Sequence, residues 1–140
     1  MQSPDRPPIV GGMALRCLIV DDSPVFRRVA SALLERQGIS VVGMAASGME
    51  AVAGARELRP DVALVDIDLG GESGFAVVRE LAALDGVLAI GAILISTHAE
   101  EEFAELIEAS PAVGFVAKSN LAADAIEAVL KGPRSQPGGE

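Results

Sequence analysis

Five short apolar runs punctuate this chain, and their spacing limits what it can fold into. They are Leu15–Val20, Ile39–Ala45, Asp61–Ile67, Ala92–Ser96 and Val113–Lys118. Each is too short for a buried helix and long enough for a strand covered on both faces. The intervals carry helical signals. Ser23-Pro24 is an N-cap followed by Pro at the first helical position, where a missing N–H costs nothing. Val25, Phe26, Val29, Ala30 and Leu33 then recur at helical spacing up to Gly38, a glycine suited to a helix C-terminus. Ser47-Gly48 opens a second helix, with Met49, Val52, Ala53 and Leu58 as its apolar side, closing before Pro60. Phe75–Leu84, Glu100–Ala109 and Leu121–Lys131 read as the remaining helices, the last with Ala122, Ile126, Val129 and Leu130 inward. Strands alternating with helices predict an α/β fold, a doubly wound five-stranded parallel sheet with five helices.

The runs account for almost the whole chain. Residues 1–13 are rich in Pro and Gly and are expected to form a flexible lead, and residues 133–140 a flexible tail, leaving one domain over 14–132. The 22 residues after Lys118 are too few for a second domain, which needs about 50. No apolar run approaches the roughly 18 residues of a membrane span, and the N-terminus lacks the apolar stretch of a signal peptide, so the expected location is the cytoplasm. A net charge of −9 opposes nonspecific binding to nucleic acid and suits cations or basic partner surfaces. One Cys and one His exclude a Cys/His zinc site; Cys17, inside the first run, reads as a buried structural thiol.

What stands at the ends of the runs is more specific. In an open parallel sheet, chemistry gathers outside the carboxyl ends of the strands. The first run ends at Asp21-Asp22, the third at Asp66, the fourth at Ser96-Thr97 and the fifth at Lys118. Three crowded carboxylates resist full ionisation unless a cation sits among them. An all-oxygen set suits a hard cation such as Mg²⁺. Lys118 and Ser96 can bind a phosphoryl group by charge and by hydrogen bond, and Asp66 can be the nucleophile that becomes an aspartyl phosphate. Read singly, each residue has a plainer role: an acid pair at a helix start, a turn aspartate, a surface lysine, a capping hydroxyl.

The fragments LIVDDSPVFRR, DVALVDIDLGGESGF, ILIST and GFVAKS, in that order, resemble the receiver domain of two-component response regulators, of the stand-alone single-domain type. The resemblance runs from Leu15 to about Lys131 and implies a flavodoxin-like fold. It implies that Asp66 is the phosphoacceptor, that Asp22 is the direct Mg²⁺ ligand, and that Asp21 acts largely through metal-bound water. The backbone carbonyl of Asp68 would complete the protein ligands. It further implies Ser96 as the phosphoryl-binding hydroxyl, with Thr97 the adjacent alternative, and Lys118 as the lysine that pairs with the phosphate. Ser96 and Phe115 would form the switch, though a Phe on a strand also suits plain core. Asp68 and His98 would tune water attack during dephosphorylation, His98 otherwise being an exposed loop residue.

The function implied is acceptance of a phosphoryl group from a sensor histidine kinase or phosphotransfer protein, and signalling through contact with a downstream protein target. Catalysis would be confined to the domain's own phosphorylation and dephosphorylation. Neither nucleic acid nor membrane is an expected partner, and a phosphorylation-dependent homodimer is compatible with the resemblance. Two departures stand out. The family commonly has Pro where Gly70 stands, and Pro again where Ser119 follows Lys118, which leaves the form of the Lys118–Ser119 peptide open. They keep a second reading in view, a receiver-like interaction module independent of phosphorylation. A phosphatase reading of Asp66-Ile67-Asp68 has little support, since that motif family carries its nucleophile on the first strand.

Overall fold

The computed structural model describes residues 9–10 and 13–131. Strands β3 (Arg16–Val20), β4 (Ser40–Ala45), β5 (Val62–Asp66), β6 (Gly91–Ser96) and β7 (Gly114–Ala117) form one parallel sheet in the order β4-β3-β5-β6-β7. Helices α1 (Pro24–Arg36), α2 (Gly48–Leu58), α3 (Gly74–Ala82), α4 (Ala104–Ala109) and α5 (Ala123–Lys131) connect and cover it. This is the doubly wound arrangement expected, with the strand order of flavodoxin-like sheets. The alternation of the strands divides the core. Leu18, Val20, Ala63, Val65 and Leu94 face one way and pack with residues of α2 and α3. Cys17, Ile19, Leu64, Ile93 and Ile95 face the other way and pack with α1 and α5. Burial pushes the Cys17 thiol up to about 12, so it stays protonated and inert.

The lead contains a pairing that its composition hides. Strands β1 (Ile9–Val10) and β2 (Met13–Ala14) pair antiparallel, Ile9 opposite Ala14 and Val10 opposite Met13, with Gly11-Gly12 between them in sequence. Residues 1–8, 11–12 and 132–140, which include the expected tail 133–140, lie outside the described residues.

Helix starts follow the expected chemistry. Ser23 Oγ accepts from the Phe26 amide at 3.1 Å with Pro24 in the first turn, and Ser47 Oγ accepts from the Glu50 amide at 3.2 Å. Helix faces depart from the apolar periodicity. In α1, Val25 and Val29 are 58% and 59% exposed, while Ala30 and Leu34 are buried. In α2, Met49 is 82% exposed and the buried contacts come from Gly48, Ala51 and Ala55. In α2 small residues let the helix lie close to the sheet, and in α1 the contact line runs through Ala30 and Leu34, so in both the apparent apolar stripe is rotated off the true contact line. The stretch expected as one helix over Glu100–Ala109 begins as a 3₁₀ turn, Glu100–Phe103, before α4. The fifth strand ends at Ala117, and Lys118–Asn120 forms a second 3₁₀ turn. Among the described residues no peptide bond is cis, so Lys118–Ser119 is trans.

The rotated face of α1 has a measurable consequence. Leu34→Ala removes a fully buried side chain and should cost about 2–5 kcal/mol of unfolding free energy in urea. Val29→Ala, on the exposed side, should change it by less than about 0.5 kcal/mol.

Candidate functional site

The parallel strands deliver their polar residues to one edge. Asp21 follows β3, its amide bonded to the Ala45 carbonyl at 2.9 Å. Asp66 ends β5 in register with Ile95, Ser96 ends β6 beside Ala117, and Lys118 follows β7. Asp21, Asp66 and Ser96 are the buried polar residues of the core, at 1%, 7% and 4% exposure. A carboxylate oxygen from each of Asp21, Asp22 and Asp66 lies within 4.8 Å of the others.

Lys118 organises this edge. Its Nζ stands 2.6 Å from Asp21 Oδ2 and 3.1 Å from Asp66 Oδ2. The first approach lies off the hydrogen-bond direction, so the fully buried Asp21 Oδ2 has an ionic contact without a hydrogen bond. The ammonium also lies 4.3 Å from the centre of the Phe26 ring, a cation–π contact that holds it from the α1 side. Asp21 is fixed further: Oδ1 accepts from the Ser23 amide at 2.9 Å, and its carbonyl accepts from Arg27 at 2.7 Å.

Burial, which removes the solvation of a charged carboxylate, raises the Asp66 carboxyl above 3.8. The hydrogen bonds from the Asp68 amide and Lys118, and the Lys118 charge, act downward without overcoming it; the nearby Asp21 charge adds to the rise. Burial alone would depress Lys118, but contacts with Asp21 and Asp66 outweigh it and its ammonium is raised above 10.5. Both groups are raised, for opposite reasons. Lys118 has two carboxylates to neutralise it, whereas Asp66 has the more distant share of one ammonium.

Asp22 is exposed, with its carboxylate over the loop after β5. Asp68 is exposed too; its amide donates to Asp66 Oδ1 at 3.1 Å and its own Oδ1 accepts from the Gly70 amide at 3.3 Å. Of the two adjacent hydroxyls, Ser96 is buried and Thr97 exposed. Ser96 Oγ accepts from the His98 amide at 2.9 Å and lies 3.5 Å from His98 Nδ1. The His98 ring meets Phe103 edge-on, with centroids 5.9 Å apart. Phe115 is in the core, in register with Leu94, with its side chain turned inward.

The donor set fits a hard divalent cation: three close carboxylates, one buried oxygen lacking a hydrogen bond, and no nitrogen or sulfur ligand among them. Phe26 was legible only as part of a helical stripe, and its role under Lys118 depends on the packing of α1. Glu72, whose Oε1 accepts from the Gly48 amide at 2.9 Å, had no sequence signal at all.

A family model described as "Response regulator receiver domain" matches residues 17–130. A protein-glutamate methylesterase/protein-glutamine glutaminase from Alkalilimnicola ehrlichii is 50% identical over 70 residues, 49% of this chain and 18% of that protein. The chain spans less than two thirds of the length of the curated relatives set beside it. A two-component response regulator of the LuxR family from Aurantimonas sp. superposes with a TM-score of 0.73 at 34% identity, covering 83% of this chain and 84% of that one. A response regulator from Burkholderia pseudomallei, solved with a phosphorylated aspartic acid, calcium ion and citrate, gives a TM-score of 0.70 at 25% identity over 83% of this chain and 66% of that one.

The raised Asp66 carboxyl sets a pH dependence. A folded-state value above 3.8 means that ionising Asp66 costs stability, and the cost grows as pH rises through the folded value. Asp66→Asn removes it. The variant should melt a few degrees above wild type at pH 7, and the gap should close toward pH 4 as the wild-type carboxyl takes up its proton. Thermal unfolding followed by circular dichroism at both pH values measures this.

Proposed function

The chain belongs to the response regulator receiver domain family, and from that premise we propose that it accepts a phosphoryl group on Asp66 and signals through protein contacts. The observation that carries this reading is the setting of Asp66. It is a buried carboxylate at the end of an apolar strand, with carboxylate oxygens of Asp21 and Asp22 within 4.8 Å and the Lys118 ammonium, shared with Asp21, at 3.1 Å. The phosphorylated aspartic acid of the Burkholderia relative supports the chemistry, and its calcium ion supports a divalent cation as a companion of it.

The donor in this proposal is a phosphohistidine on a sensor kinase or phosphotransfer protein. An Asp66 oxygen attacks phosphorus, the P–O bond forms as the P–N bond breaks, and the leaving imidazole keeps the electron pair and gains a proton. Asp21, Asp22, Asp66 and the Asp68 carbonyl would hold Mg²⁺, which supplies positive charge against the phosphoryl oxygens. Lys118 supplies a second cation. Because it already rests between Asp21 and Asp66, it needs little movement to reach an oxygen bound to Asp66. The Ser96 hydroxyl is the better candidate to donate to the phosphoryl group, since it is buried at the strand end and Thr97 is not. Phe115 follows it in the proposed switch. Asp68 and His98 would govern water attack on phosphorus, which returns the carboxylate and releases phosphate.

Residues 14–132 form the proposed receiver unit. The activity in the name of the Alkalilimnicola relative is not carried over, because the match lies within the receiver part; the proposed catalysis is limited to self-phosphorylation and its reversal. No helix among the described residues is long and apolar enough to cross a membrane, and a cytoplasmic protein with a downstream protein target is the proposal that follows. A phosphorylation-dependent homodimer is one form the output would take.

Intact-mass measurement after incubation with Mg²⁺ and acetyl phosphate tests the assignment. Wild type and Asp61→Asn should each gain one phosphoryl group, and Asp66→Asn none. Labelling of Asp66→Asn to the wild-type extent contradicts the proposal. A wild type that no phosphodonor labels would leave the phosphorylation-independent interaction module. In the same assay, Asp68→Asn should change the rate of label loss; an unchanged rate removes Asp68 from that step.

A further inference from the structure

The loop after β5 is built differently from the Pro-containing loop that the family commonly has. Leu69, Gly70, Gly71 and Glu72 form a tight turn closed by the Leu69 amide donating to the Glu72 carbonyl at 2.9 Å. Its central residues have φ of +64° and +101°. Two positive φ values in succession match the turn that reverses a hairpin, and they exclude Pro, whose φ is fixed near −65°. Asp68 and Ser73 bridge across the base of the turn. Glu72 ties its far side to the start of α2 through the Gly48 amide. The turn is therefore anchored at both ends and cannot easily drift to absorb a change within it.

Gly70 touches two members of the site. Its amide donates to Asp68 Oδ1 at 3.3 Å, a bond that Pro could not make. Its Cα lies under Asp22: a Cβ placed there would stand 2.7 Å from Asp22 Oδ2 and 3.4 Å from Asp22 Cγ. Real Cβ atoms do not approach an oxygen that closely, so any side chain at position 70 would displace the Asp22 carboxylate. Asp22 is exposed and its carboxylate is the free end of a side chain, so it would yield by moving, with little cost to the fold. The movement would disturb a set whose oxygens now lie within 4.8 Å of one another.

We propose that Gly70 is a positioning residue for the metal site: its missing side chain is the space in which the Asp22 carboxylate is held toward Asp21 and Asp66. The inference rests on the reading of the acidic cluster as a divalent-cation site. It explains a departure from the family pattern as part of that site. Where Pro commonly stands in the family, here two glycines shape the loop and Asp22 occupies the room that Gly70 leaves.

Gly71 supplies the control. It also has positive φ, but a Cβ there would meet nothing within 4 Å. Gly71→Ala thus strains the backbone without obstructing a ligand, whereas Gly70→Ala does both. Gly70→Asn brings the same Cβ on a residue type that enters the left-handed region more readily, which covers the case that Gly70→Ala folds poorly. The experiment is a Mg²⁺ titration of each purified protein, followed by amide shifts in nitrogen-15 NMR, with melting temperatures recorded alongside. Gly70→Ala and Gly70→Asn should bind at least about tenfold more weakly than wild type, in the range seen when the support of a metal ligand is removed. Gly71→Ala should bind as wild type does even where its melting temperature falls. Wild-type affinity in either Gly70 variant overturns the proposal. So does equal weakening of Gly70→Ala and Gly71→Ala, which would assign the effect to backbone strain. A wild type that shows no Mg²⁺-dependent shift at Asp21, Asp22 or Asp66 would overturn the cation-site reading itself, and this inference with it.

Discussion

One ammonium between two buried carboxylates governs this structure. Lys118 lies 2.6 Å from Asp21 and 3.1 Å from Asp66, and both acids are almost wholly removed from water. A single positive charge cannot fully offset three acids crowded within 4.8 Å. The site is therefore under electrostatic tension in the absence of further positive charge; burial raises the Asp66 carboxyl, and the Asp21 charge adds to that rise. A bound cation would relieve that tension. In the proposed function, a phosphoryl group on Asp66 would change it by offering Lys118 and the Ser96 hydroxyl new oxygens to bind.

The sheet makes that concentration of charge tolerable. Parallel strands buried on both faces provide a rigid floor of Val, Leu and Ile, so the acids cannot relax apart by bending the backbone. The opposite edge is closed by ordinary pairing. The Asp61 carboxylate accepts from the Arg16 amide at 2.8 Å, and the Arg16 side chain donates to the Leu58 and Arg59 carbonyls. Acids at the two ends of β5 thus do different work. Asp61 ties β5 to β3, while Asp66 is held where its charge is least comfortable. Gly74 belongs to the same arrangement: its amide donates to the Ile67 carbonyl at 2.7 Å, and the Asp66 carbonyl passes so near that position that no side chain fits there. The start of α3 is thereby pressed against the end of β5.

Much of this was legible in the sequence because strands and their ends obey strong local rules. The five apolar runs became the five strands, with bounds moved by a residue or so, since a run of Val, Leu and Ile has few alternatives to a buried strand. The acids, Ser96 and Lys118 were placed by topology alone once the strands were parallel. Helix faces were harder. Val25, Val29 and Met49 looked like core and are exposed, because hydrophobic periodicity counts side-chain type, whereas α1 meets the core through Ala30 and Leu34 and α2 through Gly48, Ala51 and Ala55. The β1–β2 pairing spans two residues per strand, too short to show a period. Phe26 beneath Lys118, Glu72 on the Gly48 amide and Asp22 over Gly70 are long-range meetings between loops and helix starts. No local pattern encodes such meetings. The absence of Pro at Gly70 was visible as a departure, but its meaning required the positive φ and the neighbouring carboxylate.

The central claim is that Asp66, among three neighbouring acids, is the one that becomes the acyl phosphate. The most direct measurement is reductive trapping: treat the phosphorylated protein with borohydride, which converts an aspartyl phosphate to homoserine with release of phosphate, and locate the new residue by peptide sequencing. The account predicts homoserine at position 66 and unmodified aspartate at 21, 22 and 68. Homoserine at any of those three positions, with aspartate intact at 66, would contradict it.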